Sequence, residues 1–127
     1  MPTLTPYICC KNASAAIDFY RNVFEAVEET RMNDDDGRIS HAELVFGDSH
    51  LFLADEHPEI GVLSPLTQGG LAALLVLEVE DAEATLERAL LAGAEQTRAL
   101  SDEPYGRVCK LKDPFGHEWM ITSPQPL

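Results

Sequence analysis

Asn12-Ala13-Ser14-Ala15-Ala16-Ile17-Asp18 and Asp81-Ala82-Glu83-Ala84-Thr85-Leu86-Glu87 begin at positions 12 and 81 and read as the same helix start. Each opens on a side chain suited to capping a helix N-terminus and continues with small and apolar residues at helical spacing. The offset of these two segments also carries Gly37-Arg38 onto Gly106-Arg107 and Phe46-Gly47 onto Phe115-Gly116. Unrelated segments would need different offsets, so the agreement points to an internal duplication. A chain built from two copies of one small module usually forms its working site between them.

The segments around the helix starts complete the module. Thr3 to Cys10 reads as a strand, and the helix after Asn12 buries Ala13, Ala16, Ile17, Tyr20 and Phe24. Residues 26 to 33, Arg38 to Phe46 and Ser49 to Ala54 read as three further strands, with turns at Asp34-Asp35-Asp36-Gly37 and Gly47-Asp48. Residues 55 to 70 contain Pro58, Gly61, Pro65, Gly69 and Gly70, follow no helical or strand period, and read as a linker. The pattern restarts with a strand over Leu71 to Val79 and a helix capped by Asp81, its inner stripe Ala82, Leu86, Ala89 and Leu90 and its C-terminal cap at Gly93. Strands near Glu95 to Leu100, Gly106 to Lys112 and Glu118 to Thr122 finish a second copy. The expected fold is α+β: one domain over residues 1–127 made of two βαβββ modules, approximately 1–54 and 71–127. In this expectation each sheet carries its helix on one face and turns the other toward a shared cavity.

Composition removes several functions. The formal charge is -13, from 22 acidic and 9 basic residues, which disfavours nucleic acid and anionic membrane surfaces as partners. The longest apolar run, Leu71 to Leu77, is far short of the roughly 20 residues of a membrane span. Met1-Pro2-Thr3 lacks the features of a signal peptide, and three cysteines do not make a disulfide framework. A cytoplasmic protein is expected. Cys9 and Cys10 are adjacent in a strand, so at most one of them faces any pocket.

Together these residues resemble the vicinal oxygen chelate superfamily, which includes glyoxalase I, extradiol dioxygenases, fosfomycin-modifying enzymes and bleomycin-binding resistance proteins. The resemblance is carried by Asn12-Ala13-x-x-Ala16-Ile17-Asp18-Phe19-Tyr20, by Val79-Glu80-Asp81-Ala82, and by Asp113-Pro114-Phe115-Gly116-His117 before a last strand. In metal-dependent members, His or Glu side chains from the first and last strand of each half hold a divalent ion. Counted along the motifs, those positions here are Thr5, Leu51, Leu74 and Met120, and a one-residue shift brings in only His50 as a donor. A hydroxyl, two leucines and a thioether do not suit such an ion, so neither a metal nor another cofactor is expected.

Strand alternation assigns Ala42, Leu44 and Phe46 to the helix side of their strand and turns Ile39, His41, Glu43 and Val45 the other way. His41 and Glu43 are thus the catalytic candidates, able to orient a substrate or act as base and orienter. The residues expected on the cavity side are Thr5, Tyr7, Cys9, Leu51, Leu53, Leu74, Val76, Glu78, Met120 and Thr122. They describe an apolar pocket with a few polar groups and no nucleophile-base-orienter array. His117 reads as a turn residue, His57 as exposed, and Arg107 as the partner of an acidic side chain. The leading expectation is a metal-free binder of a small, partly apolar and possibly cationic organic molecule. The alternatives are a lyase, isomerase or dioxygenase with a metal site relocated to His41 and Glu43, and a protein-interaction module with a vestigial cavity. A homodimer is expected, because sheet edges otherwise stay unpaired.

Overall fold

The computed structural model describes residues 2–125 and divides into two compact units, Met1–Gly70 and Leu71–Leu127. The first contains β1 (Tyr7–Cys10), α1 (Ala13–Phe24), β2 (Val27–Asn33), β3 (Ile39–Phe46), β4 (Ser49–Asp55) and the short α2 (Pro65–Gln68). The second contains β5 (Leu74–Glu78), α3 (Ala82–Leu91), β6 (Glu95–Glu103), β7 (Gly106–Lys112) and β8 (Glu118–Ser123). Each unit folds its strands into one four-stranded sheet, ordered β1-β4-β3-β2 and β5-β8-β7-β6, with the outer pair parallel and the others antiparallel. The fold is α+β, two four-stranded sheets each with its helix. Among the described residues, no helix is long and apolar enough to cross a membrane.

Both helices start where their caps stand. The Asn12 side chain accepts from the Ala15 N–H and that of Asp81 from the Ala84 N–H, each at 3.1 Å. Helix α1 buries the expected residues together with Phe19 and Val23. It packs with Ile8, Cys10, Ala42, Leu44, Leu51 and Leu53 in the core of the first unit. Helix α3 buries Ala82, Thr85, Leu86 and Ala89, whereas Leu90 is 40% exposed and does not belong to the inner stripe.

The two copies do not keep one offset. Tyr7 pairs with Phe52, and Phe52 with Glu43; the same positions in the second unit are Val76, Met120 and Lys110. Tyr7 and Val76 are 69 residues apart, Phe52 and Met120 are 68, and Glu43 and Lys110 are 67. The slip arises in the turns. Phe46-Gly47 leads into the tight Gly47-Asp48 connection, whereas Phe115-Gly116 sits inside a longer turn from Asp113 to His117. Phe46-Gly47 and Phe115-Gly116 are therefore not equivalent.

This corrects two expected cavity residues. Leu51 and Leu53 are the cross-strand partners of Leu44 and Ala42, and all four lie in the core, at most 3% exposed. A one-residue slip exchanges the faces of a strand, and the open-face residue of β4 is Phe52. Ile39 is also buried and does not share the face of His41. The β2–β3 register passes from Met32↔His41 to Asn33↔Ile39 and leaves Ser40 as the extra residue of a bulge.

The Asp113 turn is held by one buried carboxylate. Asp113 Oδ1 accepts from the Phe115 and His117 N–H groups, and Oδ2 accepts from Trp119 Nε1 at 2.9 Å. The His117 carbonyl accepts the Asp113 N–H, so His117 closes the turn as expected. Replacing Asp113 by Ala leaves three N–H donors without their acceptor. We expect it to lower the unfolding free energy by about 3 kcal/mol in urea titrations, and Asp113→Asn, which keeps one acceptor oxygen, to cost less.

Candidate functional site

Three polar side chains meet on the open face of the first sheet. Tyr7 on β1 and His41 on β3 flank Phe52 of β4, and both rings meet Phe52 edge-on, with centroids 6.0 Å and 5.0 Å away. Tyr7 Oη lies 2.9 Å from His41 Nδ1, and His41 Nε2 lies 2.9 Å from Glu43 Oε2. An ionised carboxylate only accepts, so Nε2 donates to Glu43, and with the ring hydrogen placed there Nδ1 is the acceptor available to the Tyr7 hydroxyl. The Ser40 carbonyl is a second acceptor for that hydroxyl, at 3.3 Å. Burial, then the neighbouring Cys9, raise the Tyr7 pKa and keep the phenol protonated. A phenol, a base and an orienting carboxylate thus form a continuous array, which face assignment alone did not reveal.

Tyr7 also lines a cavity of about 490 Å³ within the first unit. Its polar lining is completed by Cys9, Asp34, Ser40 and His57, and its apolar walls are Ile8, Ala54, Ile60 and Val62. Cys10 is fully buried, so only Cys9 of the adjacent pair reaches this space. Burial, then the charges of Glu56 and Asp55, push the Cys9 thiol up to about 11. It is a neutral wall group, not a nucleophile.

One side of the cavity is a clasp formed by the segment after β4. His57 is not the exposed linker residue expected: its side chain is 13% exposed. Nε2 lies 2.9 Å from Asp34 Oδ2 and Nδ1 lies 2.9 Å from the Asp55 carbonyl. Two acceptors favour the imidazolium, and the Asp34 hydrogen bond is the main reason the His57 pKa is raised. Arg38 reinforces the clasp by binding both Glu59 oxygens, Asp36 and the Glu56 carbonyl. Ser64 and Thr67 hydroxyls donate to Glu56 and lower its pKa. The signal available in the sequence was the pair of charged runs, Asp34 to Arg38 and Glu56 to Glu59.

The remaining site candidates disperse. Thr5 is half-buried ahead of β1, while Leu74, Val76 and Glu78 share the exposed side of β5. Met120 and Thr122 alternate with the buried Trp119, Ile121 and Ser123 on β8. Arg107 pairs with Asp102 at 2.8 Å and Glu83 at 3.2 Å. The divalent ion implied by the resemblance finds no fitting donor set. Leu51 belongs to the core, and its open-face neighbours on β4 are His50 and Phe52, while Leu74 pairs with Glu118 and not with Met120. Of the residues brought in by the observed registers, His50 and Glu118 are donors, one in each unit, and Thr5 and Leu74 are not. Among the described residues, no three His, Cys, Asp or Glu side chains group to hold a metal. Both nitrogens of His41 are already engaged.

The chain belongs to the Glyoxalase/Bleomycin resistance protein/Dioxygenase superfamily, whose model matches residues 3–121. An uncharacterized protein of Mycobacterium bovis is 37% identical, with 97% of this chain and 84% of that protein covered. An uncharacterized protein of Mycobacterium tuberculosis is also 37% identical, covering 97% and 75%. Among solved structures, a protein of Pseudomonas aeruginosa is similar with a TM-score of 0.76 at 23% identity, covering 99% of this chain and all of that one. TioX from Micromonospora is similar with a TM-score of 0.72 at 22% identity, covering 99% and 98%. The fosfomycin resistance protein FosX of Listeria monocytogenes, complexed with Mn(II) and dihydroxypropylphosphonic acid, has a TM-score of 0.74 at 14% identity, covering 97% and 92%. These structural likenesses establish the fold alone.

Two measurements check the electrostatics of the cavity. The folded-state pKa of His57 lies above its unfolded value, so its stabilisation is complete below about pH 6.5 and is lost as pH rises through the folded value. The melting-temperature deficit of His57→Gln should therefore be larger near about pH 5.5 than near about pH 9. Alkylation of Cys9 by iodoacetamide, followed by mass spectrometry, should be slower at neutral pH than that of free cysteine and should accelerate toward about pH 11.

Proposed function

We propose that this protein binds a small, partly apolar organic molecule without a metal, and that the cavity of the first unit is where it binds. The observation that carries this reading is a cavity of about 490 Å³ with four apolar wall residues and a polar group of Tyr7, Cys9, Ser40, Asp34 and His57. That size and mixture are typical of small-molecule sites, where apolar walls supply affinity and a few polar groups fix orientation. A cationic group on the ligand is favoured because the acidic groups, Asp34 in the lining with Glu56 and Asp55 acting on Cys9, outnumber the one cationic lining group, His57. The overall charge of -13 acts in the same direction.

The open-face chemistry favours this over a metal-dependent lyase, isomerase or dioxygenase with a relocated site. His41 and Glu43 are bonded to each other, and binding an ion would break that bond and the one to Tyr7. A protein-interaction module would not need a cavity held open by the His57 and Arg38 clasp. We also propose a homodimer, since β1 and β2 end one sheet and β5 and β6 the other. Sedimentation at several concentrations would report it.

Thermal-shift and calorimetric titrations test the binding reading. Benzyltrimethylammonium should raise the melting temperature, while Ni, Zn, Mn and Fe(II) should leave it unchanged. Ile60→Lys, at an exposed lining position, should weaken binding of the cation by about tenfold or more through like-charge repulsion. A stoichiometric metal after gentle purification would sink the metal-free reading.

A further inference from the structure

We propose that residues 57 to 63 form a flap on the cavity of the first unit, fastened at acidic pH through the imidazolium of His57 and released as that ring deprotonates. Its role as a gate rests on the binding reading above, whereas its opening requires no ligand. The flap supplies His57, Ile60 and Val62 to the lining, and Asp34, just after β2, and Ser40, on β3, line the cavity beside it. Release of the flap therefore removes one wall of the cavity.

The segment is a loop with fixed roots. The His57 N–H donates to the Val62 carbonyl at 2.9 Å and the Val62 N–H to the His57 carbonyl at 3.1 Å, which closes the loop on itself. Inside it Pro58–Ile60 makes a single 3₁₀ turn, ended by Gly61 at φ 79°. At one root the Glu56 N–H is held by the Cys10 carbonyl and the Glu56 carboxylate by the Ser64 and Thr67 hydroxyls; at the other, Ser64 is fully buried. Two side chains of the loop tie it to the rest of the unit. His57 meets Asp34 and the Asp55 carbonyl, each at 2.9 Å, and Glu59 meets Arg38 through both oxygens, at 3.1 Å and 2.7 Å.

The two ties respond differently to pH. The Arg38 guanidinium holds the Glu59 carboxyl down at about 2, and its own pKa is raised in turn, so this tie keeps both charges across neutral pH. His57 is the tie that titrates. Its hydrogen bond to Asp34 is the first cause of a raised pKa and the Asp55 carbonyl adds to it, while burial and the Arg38 charge oppose them. The folded value lies above the unfolded one, so the fastening is complete below about pH 6.5 and is lost as pH rises through the folded value. The neutral ring has one N–H for two acceptors, and one of the two bonds is given up. The charged groups around the ring are Asp34 from the turn after β2, Arg38 ahead of β3, and Asp36 and Glu59, whose carboxyls are both lowered in part by the His57 charge. Glu56 is turned to Ser64 and Thr67, and Tyr7 and Cys9 from β1, which share the lining, stay neutral.

Amide hydrogen exchange, followed by NMR on the free protein, tests the flap. The Ile60, Gly61 and Val62 N–H groups bond to the His57 and Pro58 carbonyls within the loop, and a loop this short loses such bonds once a tie is released. Their protection, corrected for the intrinsic pH dependence of exchange, should fall by about tenfold between about pH 5.5 and about pH 9, while the Ala16 N–H of α1 keeps its protection. His57→Gln, whose amide does not titrate, should make the protection independent of pH. Asp34→Asn, which keeps an acceptor but no charge, should move the midpoint of the fall downward; a merely structural Asp34 would leave it in place. Constant protection in the parent protein, or an equal fall in His57→Gln, overturns the flap. Benzyltrimethylammonium separates the flap from the binding reading. Binding of this cation with protection constant in pH overturns the flap and leaves the binding reading intact. Protection that falls with pH in a protein that does not bind the cation supports the flap and overturns the binding reading. Where both hold, the dissociation rate of the cation, from line-shape analysis, should rise over the same pH range, and a rate that stays constant overturns the gate.

Discussion

The carboxylate of Asp55 is the constraint on which the first unit depends. Oδ1 accepts from the Ala13 N–H at the start of α1, and Oδ2 accepts from the Ile39 N–H at the start of β3, each at 2.7 Å. A single side chain at the end of β4 therefore fixes where the helix begins and where β3 enters the sheet. Both donors would otherwise be unsatisfied in a partly buried setting, since a helix N-terminus has no intrahelical acceptors for its first N–H groups. The consequence reaches the site directly. Glu56 and His57 leave β4 from this fixed point, and the Asp55 carbonyl itself accepts from His57. The clasp and the cavity wall are extensions of the bond that sets the fold.

The second unit meets the same requirement with different chemistry. There the Ala82 N–H is accepted by the hydroxyl of Ser123, also the final residue of its strand. A carboxylate with two acceptor oxygens can join helix and strand; Ser123 provides one oxygen and binds the helix start. The tie that Asp113 makes within its own turn organises the other end of that sheet. The two copies thus share a backbone plan and solve its unsatisfied donors separately, which is how a duplicated module retains topology while its side-chain chemistry diverges.

Much of the fold was legible because it is written in local signals. Asn12 and Asp81 are caps whatever surrounds them, and the strands before and after each helix announce themselves by alternation and by glycine-bearing turns. Register was less legible. It depends on turn length, and a tight Gly47-Asp48 connection against the longer Asp113 to His117 turn moves every following residue relative to the repeat. Strand alternation reports that two residues share a face but not which face is buried, and for Leu51 and Leu53 only pairing with Leu44 and Ala42 decides it. The site divides in the same way. His41 and Glu43 were visible as neighbours on one strand, whereas Tyr7 joins them across the intervening β4, and Asp34 meets His57 from 23 positions away. Such contacts have no sequence period to reveal them.

The placement of the polar array on the open face follows from the cost of the alternative. Within the helix-facing core, Leu44 and Leu51 are closely paired and fully or almost fully buried. An imidazole and a carboxylate there would lose hydration and could regain it only through a closed set of partners. On the open face the same two groups keep partial solvent contact, and Phe52 between Tyr7 and His41 excludes water from the flank of their bond. Partial burial strengthens the hydrogen bonds while leaving both groups within reach of solvent. The first copy has polar groups where this balance can be met; the second has Val76, Met120 and Lys110 in the matching register. The polar array is therefore confined to one of the two copies by side-chain identity, on a sheet topology that both copies share.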